Sequence, residues 1–472
     1  MAKIFDQLPD GLVKKTLFEF VHSRTADGEY VLKEIYLAIG RQCELVFAHK
    51  FGGPDIRRSN NETLEDHLEN FLTLFEGLPS EVRRTGIDDT LHRISRTVHA
   101  TARRVVAITA RVGRTLQGGV LPMLCDSSDS NYQINESEPG ERLEPDVSPA
   151  LADLVSKGLL LIGPPNTGKT TVLRELARLL SLGRRRVVVI VDKSMEIAGT
   201  GIKPHAAIGH ARVLTCHTPS EQHRVMLEAV ENQSPDVVIV DELSTKEECA
   251  AARTITGRGV AVVASVHGDS LAQIASDPER SLLVGGIGSV TLSAREAEAR
   301  ADGLRQVSKR LQPSVFGAAV ELRGFTDWIL HADLETAIDR YLDYQPFRAS
   351  WRTKERGLGA DTVLATPVVG CRQQGSAVGF AYARLRVGEK LAQGQPIDFT
   401  AVNPSGQSVW TRVNEQGSPP IYERTPATMP SPRSGSASAP TRVELTPNRA
   451  PSPPYDFGGL SSRGGVGRAS FS

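Results

Sequence analysis

Residues 159–171 read LLLIGPPNTGKTT, an apolar run that enters a loop matching GxxxxGK[ST] and leads into a helix-forming stretch. A strand before and a helix after are the context in which this pattern cradles phosphates. Gly163 and Gly168 let the loop wrap so that backbone N–H groups point inward, and the helix N-terminus adds the positive end of its dipole. Lys169 would supply a mobile charge for the β- and γ-phosphates of ATP, and the Thr170 hydroxyl a ligand for Mg2+. A second stretch, VVIVDE at 237–242, is an apolar strand that runs into two adjacent acids. Ionised groups at a core edge are costly unless they bind something. Asp241 is therefore placed to hold Mg2+, and Glu242 to polarise an attacking water. The strand AVVASV ends in Ser265 and His267, where a polar group can sense a γ-phosphate. Asp192 and Glu196 close the intervening strand on the same carboxyl-end rim, where ligands sit in such sheets.

These residues need a sheet to position them. From 159 onward strands alternate with helices: strands at 159–163, 187–191, 237–241, 260–266 and 289–292, helices at 168–182, 219–231, 244–256 and 269–276. Alternation with near-continuous apolar strands implies a parallel sheet covered on both faces. One strand, 187–191, intervenes in sequence between the phosphate-loop strand and the acidic one, as in the RecA-like and AAA+ division of P-loop NTPases. The fold class is thus α/β, a P-loop NTPase with a RecA-like/AAA+ parallel sheet of the additional-strand, catalytic-glutamate type. AAVEL and DWILH predict two further strands, and 333–343 a short helix.

Upstream, helix-spaced apolar residues (Leu12, Leu17, Phe20, Val21; Val31, Ile35, Ile39; Leu64, Leu68, Leu72) predict amphipathic helices over 10–50 and 62–77, with FGGPDIRRSNN at 51–61 as a breaker. Residues 86–114 are rich in β-branched residues and predict a pair of strands. No acid occurs from Leu91 to Leu124, so this stretch is a nucleic-acid face, a set of arginines aimed at phosphates, or a solvated surface. Residues 125–147 are acidic and poor in large apolar residues, as in a solvated linker or insertion. The last 55 residues hold 10 Pro, 10 Ser and 6 Gly, a composition expected to be disordered.

The 472-residue chain balances 55 basic against 55 acidic residues, so no global field draws it to nucleic acid or membrane. No apolar run approaches the roughly 18 residues that span a bilayer. Five scattered cysteines (Cys43, Cys125, Cys216, Cys249, Cys371) form no CxxC and suit a reducing compartment. The acid-bearing first 40 residues predict neither a signal nor a transit peptide.

The stretches GPPNTGKTTVLRELAR, VDKSMEIAGTGIKPHAAIGHAR, QHRVMLEAVENQSPDVVIVDE, AARTITGRGV and SVHG together resemble the SpoIIIAA-like AAA ATPases, in the branch found in cyanobacteria and plastids. The resemblance runs from GIDDTLHRISRT and ITARVGRTLQGG to PSVFGAAVEL, roughly residues 82–345. Members are similar to secretion-type ring ATPases, which implies an ATP-driven core, Mg2+ and a ring homo-oligomer, a hexamer by analogy. The resemblance implies nucleotide binding by Gly163, Pro164, Pro165, Asn166, Thr167, Gly168, Lys169, Thr170 and Thr171. It makes Asp241 and Glu242 the acidic pair and His267 the histidine-box residue. It also matches Arg93, Arg111 and Arg114 to arginines that approach nucleotide from the preceding domain. SVHG replaces the usual TAHG, and an acidic insertion precedes the core; neither removes a catalytic group.

The sequence therefore predicts a helical region at 1–80, an arginine-rich β-containing subdomain at 81–121, an acidic linker at 122–147, the ATPase core at 148–345, a small C-terminal region at 346–417 and a disordered tail at 418–472. The expected activity is Mg-dependent ATP hydrolysis through Glu242, with Glu196 second in rank, driving work on nucleic acid (through residues 93–114) or on protein. The alternative is a nucleotide-gated binding module with little turnover. Alternation places Arg111 opposite Ile108, Ala110 and Val112, free to reach a phosphate unless an acid such as Asp126 takes it. The expected compartment is the cytoplasm or the plastid stroma.

Overall fold

A computed structural model describes residues 2–125 and 148–355 with short breaks, together with strands at 362–372, 380–384, 410–412 and 421–424. Residues 126–147 of the acidic linker (with Asp126) and most of the Pro/Ser-rich tail lie outside the described residues, whereas Met123, Leu124 and Cys125, at the expected start of the linker, are buried.

The chain opens with helices α1 (Ala2–Phe5) and α2 (Leu12–Thr25), then strands β1 (Tyr30–Ala38), β2 (Gln42–His49) and β3 (Pro54–Glu62), helix α3 (Asp66–Thr73), and strands β4 (Arg84–Gly86), β5 (Arg93–Val98) and β6 (Val105–Arg111). These six strands form one antiparallel sheet in the order β3-β2-β1-β6-β5-β4. The expected helix over 30–50 is therefore corrected to a hairpin. Val31, Ile35 and Ile39 are four apart, a spacing that fits one face of a strand as well as of a helix. A bulge between Leu32 and Glu34 then brings Leu32, Ile35 and Leu37 all into the core. The expected breaker at 51–61 holds β3 instead; its polar sequence suits an edge strand. The predicted strand pair at 86–114 is present as β5 and β6.

After α4 (Leu121–Leu124) and α5 (Pro149–Ser156) the core follows: β7 (Leu159–Gly163), α6 (Lys169–Leu182), β8 (Val188–Asp192), β9 (Arg212–Thr215), α7 (Gln222–Gln233), β10 (Val237–Val240), α8 (Lys246–Gly257), β11 (Ala261–His267) and α9 (Leu271–Ser276). Strands β12 (Ile287–Thr291) and β13 (Gln306–Arg310), separated by α10 (Ala294–Glu298), form an antiparallel hairpin of their own, so the expected strand at 289–292 stands outside the main sheet. β14 (Ala318–Leu322), β15 (Asp327–His331), α11 (Leu334–Leu342), β16 (Phe347–Glu355), β17 (Thr362–Arg372), β18 (Phe380–Arg384), β19 (Trp410–Arg412) and β20 (Ile421–Arg424) complete the described chain. The strand Ile421–Arg424 lies within the stretch expected to be disordered from 418, and corrects that boundary.

The twelve-stranded sheet has the order β19-β20-β18-β17-β16-β15-β14-β7-β11-β10-β8-β9 and is parallel from β14 to β9. β11 lies between β7 and β10, so the phosphate-loop strand and the acidic strand are separated by one inserted strand. This is the RecA-like/AAA+ arrangement expected from the sequence. Strands β7, β8 and β10 are buried throughout because apolar cores cover both sheet faces: Leu160 and Ile162 face one side, Leu159 and Leu161 the other. Beyond β14 the sheet turns antiparallel as far as β18, which then pairs with β20 in parallel. Cys43, Cys125, Cys216 and Cys249 are buried.

Candidate functional site

β7 ends at Gly163, where a Cβ would come within 2.6 Å of Thr167 Oγ1 and 2.9 Å of the Leu322 carbonyl oxygen. The loop that follows turns through Asn166 (φ 65°) and Gly168 (φ 98°), left-handed positions that glycine adopts freely. Thr167 Oγ1 donates to the Pro164 carbonyl (2.9 Å) and tightens the turn. Lys169, the first residue of α6, is buried, and its Nζ donates to the carbonyls of Gly163 (2.6 Å) and Pro164 (2.9 Å). Burial lowers its pKa, and Asp241 and Glu242 oppose that shift.

His267, at the tip of β11, stands between the lysine and the second acid. Its Nδ1 is 3.3 Å from Lys169 Nζ, and its Nε2 is 3.9 Å from Glu242 Oε1. Burial and Lys169 both lower the histidine's pKa, which favours a neutral ring. Ser265, two residues earlier, ties the acids together. Its Oγ donates to Asp241 Oδ1 (3.2 Å) and accepts the Glu242 N–H (3.0 Å). Glu242 has φ 52°, a left-handed conformation that a non-glycine residue adopts at a cost of about 1–3 kcal/mol and that recurs at functional sites.

Asp241 is 6 % exposed, and its pKa is pushed up to about 7, first by burial and then by Asp192 and Glu196, against the Ser265 hydrogen bond. Because the folded-state pKa lies above the usual carboxylate value, the folded state is favoured at low pH and loses that advantage as pH rises toward 7. Asp241→Asn keeps an acceptor for Ser265 and removes the charge. In cation-free buffer it should raise the melting temperature at pH 8 by several degrees and change it little at pH 5. An equal gain at both values would contradict the buried-charge account.

The rim of β8 is built differently. Asp192 is fully buried and accepts the N–H groups of Glu196, Ile197 and Ala198, each at 2.9 Å, which folds the segment after β8 into a tight turn. Arg174 of α6 donates to the Ile197 carbonyl (2.7 Å) from the other side. The Glu196 carboxylate takes Arg93 Nη1 of β5 at 2.6 Å, a contact between the N-terminal sheet and the core. The Glu242 carboxylate has only the 3.9 Å approach of His267 among the described residues, so it is the freer of the two.

The remaining arginines are mostly engaged. Arg111 Nε donates to Glu34 Oε2 at 3.2 Å, from the position directly opposite on β1. The expectation that Arg111 is free to leave its sheet is therefore corrected: its acid comes from the neighbouring strand, which a reading of one strand at a time does not reveal. Arg104 pairs with Glu65 (2.7 Å), and Arg96 stacks on Phe75 and donates to the Val82 carbonyl. Arg114 is exposed, with no side-chain hydrogen bond among the described residues. Gln222 was not anticipated: fully buried, it donates through Nε2 to the Asp241 carbonyl (2.9 Å). Its place at the start of a helix carried no chemical signal.

Residues 149–287, which contain this whole cluster except the arginines of the N-terminal sheet, match the family model described as Sporulation stage III, protein AA. The chain is also 32% identical over 340 residues to Uncharacterized protein ycf45 of Cyanidium caldarium, an alignment covering 72% of this chain and 92% of that one. The chain belongs to the SpoIIIAA-like family, in its cyanobacterial and plastid branch. Within the family it is 38% identical over 265 residues to Protein SEEDLING PLASTID DEVELOPMENT 1 of Arabidopsis thaliana, covering 56% of this chain and 34% of that relative. A further relative, matched at 35% identity, is covered over 52% of its length, so the chain spans about half or less of both. Among solved structures, the Legionella pneumophila ATPase DotB is similar at 14% identity and a TM-score of 0.36, over 62% of this chain and 79% of that one. Among the described residues no helix is long and apolar enough to cross a membrane.

Proposed function

We propose that this chain binds Mg·ATP at the carboxyl edge of its parallel sheet and hydrolyses it. The observation that carries the reading is the convergence of three polar groups at the ends of β7, β11 and β10, with His267 3.3 Å from Lys169 on one side and 3.9 Å from Glu242 on the other. The lysine ammonium exchanges its loop carbonyls for β- and γ-phosphate oxygens, and the loop from Gly163 to Thr171 wraps the phosphates. Glu242 orients a water toward the γ-phosphorus and accepts its proton as the bond to the β-γ bridging oxygen breaks, giving ADP and inorganic phosphate. His267 lies where it can sense the γ-phosphate. Thr170 and Asp241 offer oxygen donors to Mg2+, and an acid pushed up to about 7 by burial and then by neighbouring carboxylates suits a cation. Mg2+, when bound, would neutralise charge on the phosphate oxygens.

The family resemblance supports work as a homo-oligomeric ring, of six copies by analogy alone, on a macromolecule in the cytoplasm or plastid stroma. The engagement of Arg93, Arg96, Arg104 and Arg111 removes most of the motive for nucleic acid at 93–114. ATPase assays with and without single-stranded nucleic acid test that directly: unchanged turnover favours a protein substrate. Arg114 is the arginine best placed to serve a neighbour. Arg114→Ala should keep ATP binding and lower turnover at least tenfold. Mixed oligomers with Lys169→Ala should then regain part of the activity; mixtures as inactive as their parts would contradict action across subunits. The alternative, a nucleotide-gated binding module, predicts ATP binding with no turnover.

A further inference from the structure

A second polar cluster, outside the nucleotide site, is buried where β14 meets the C-terminal strands. Glu321 is 1 % exposed, and its Oε1 lies 3.1 Å from the Leu271 N–H, 2.8 Å from the Tyr382 hydroxyl and 3.2 Å from His331 Nε2. Arg323 Nη2 is 4.0 Å from Glu321 Oε2, and the guanidinium sits 5.3 Å from the centre of the Tyr382 ring. Its nitrogens have no hydrogen-bond partner among the described residues. Burial works to raise the Glu321 pKa, and His331, Arg323 and the Leu271 N–H outweigh it, so the carboxyl stays ionised.

Such a cluster is a poor way to hold a core together, since well-packed apolar side chains of similar volume serve as well or better. Its placement gives it another use. Glu321 stands opposite Ile162, one residue before the phosphate loop begins at Gly163. Leu271, whose N–H it accepts, is the first residue of α9, four residues after His267. The short link between them is held at its other end by the Gly268 N–H on the Gly163 carbonyl (3.4 Å) and by Arg280 on the His267 carbonyl. Glu321 therefore anchors one end of the segment that carries His267. Tyr382, on β18, reaches the same oxygen from the C-terminal strands, 61 residues away.

We infer that Glu321 is a positioning residue for His267, and that Tyr382 makes its position depend on the C-terminal strands β16–β18. The inference rests on the ATPase reading and names a control of that site: whatever shifts β18 shifts the histidine that faces Lys169 and Glu242.

The test is a double-mutant cycle on ATP turnover by the full chain. Glu321→Leu should lower kcat about tenfold with KM for ATP within about twofold, the scale of one lost charge-assisted hydrogen bond. Glu321→Gln, which keeps a carbonyl acceptor for Leu271, should restore most of that loss. Added to His267→Ala, Glu321→Leu should cause no further fall, because it acts through the histidine. Tyr382→Phe, which removes one hydroxyl and keeps the ring, should show the same non-additivity with a smaller effect, and it serves if Glu321→Leu does not fold. An equal proportional loss in the His267→Ala background, or an unchanged kcat in both Tyr382→Phe and Glu321→Leu, overturns the inference while leaving the ATPase reading intact. A wild-type chain without turnover overturns both.

Discussion

Lys169→Ala should abolish ATP binding, the largest effect expected of any single change in this chain. Among the described residues, the ammonium is the cation that hydrogen-bonds the phosphate loop itself, through the carbonyls of Gly163 and Pro164. It is also buried, so its charge acts through little screening solvent. Removing it leaves the loop N–H groups and the helix dipole, which together do not balance a triphosphate. Affinity measured by titration with a fluorescent ATP analogue should fall at least a hundredfold, with the melting temperature of the free protein near wild type. Near-wild-type affinity would overturn the assignment of the phosphate loop.

The second large effect is on chemistry alone. Glu242→Gln keeps the side-chain shape and leaves the backbone free to hold its left-handed conformation, while removing the base. Nucleotide affinity should be unchanged, and turnover should fall by about 10² to 10³, the scale of losing one aligned catalytic group. Glu196→Gln is the matched comparison. Its carboxylate already holds Arg93 at 2.6 Å, so its loss should loosen the contact between the N-terminal sheet and the core, with a smaller effect on the chemical step. If Glu196→Gln is the more damaging of the two, the ranking of the acids is reversed.

The core was legible because its signals are local. An all-apolar strand, a glycine loop with Lys169 and Thr170, and a strand that ends in Asp241 and Glu242 each lie within one short window of sequence. The parallel order of the sheet followed from the alternation of strands and helices, and the inserted strand β11 from the family of NTPases that alternation resembles. The N-terminal sheet was less legible. Val31, Ile35 and Ile39 satisfy the periods of both a helix and a strand, and the polar β3 gave no apolar alternation because it is an edge. The errors at the site have one cause: the missing partners come from other elements. Arg111 finds Glu34 across a strand pair, Asp241 finds Gln222 from a helix, and Glu321 finds Tyr382 from a strand that joins the sheet far down the chain. Spacing within a segment carries no information about such pairs.

Hydrolysis through Glu242 is tested most directly by Mg-dependent release of phosphate from ATP by the purified full chain, measured for wild type beside Glu242→Gln under single-turnover conditions. The wild type should release phosphate in a Mg-dependent reaction, and the variant should hold ATP intact over the same period. Equal rates in the two proteins, or no phosphate release by the wild type despite bound ATP, would contradict hydrolysis through Glu242.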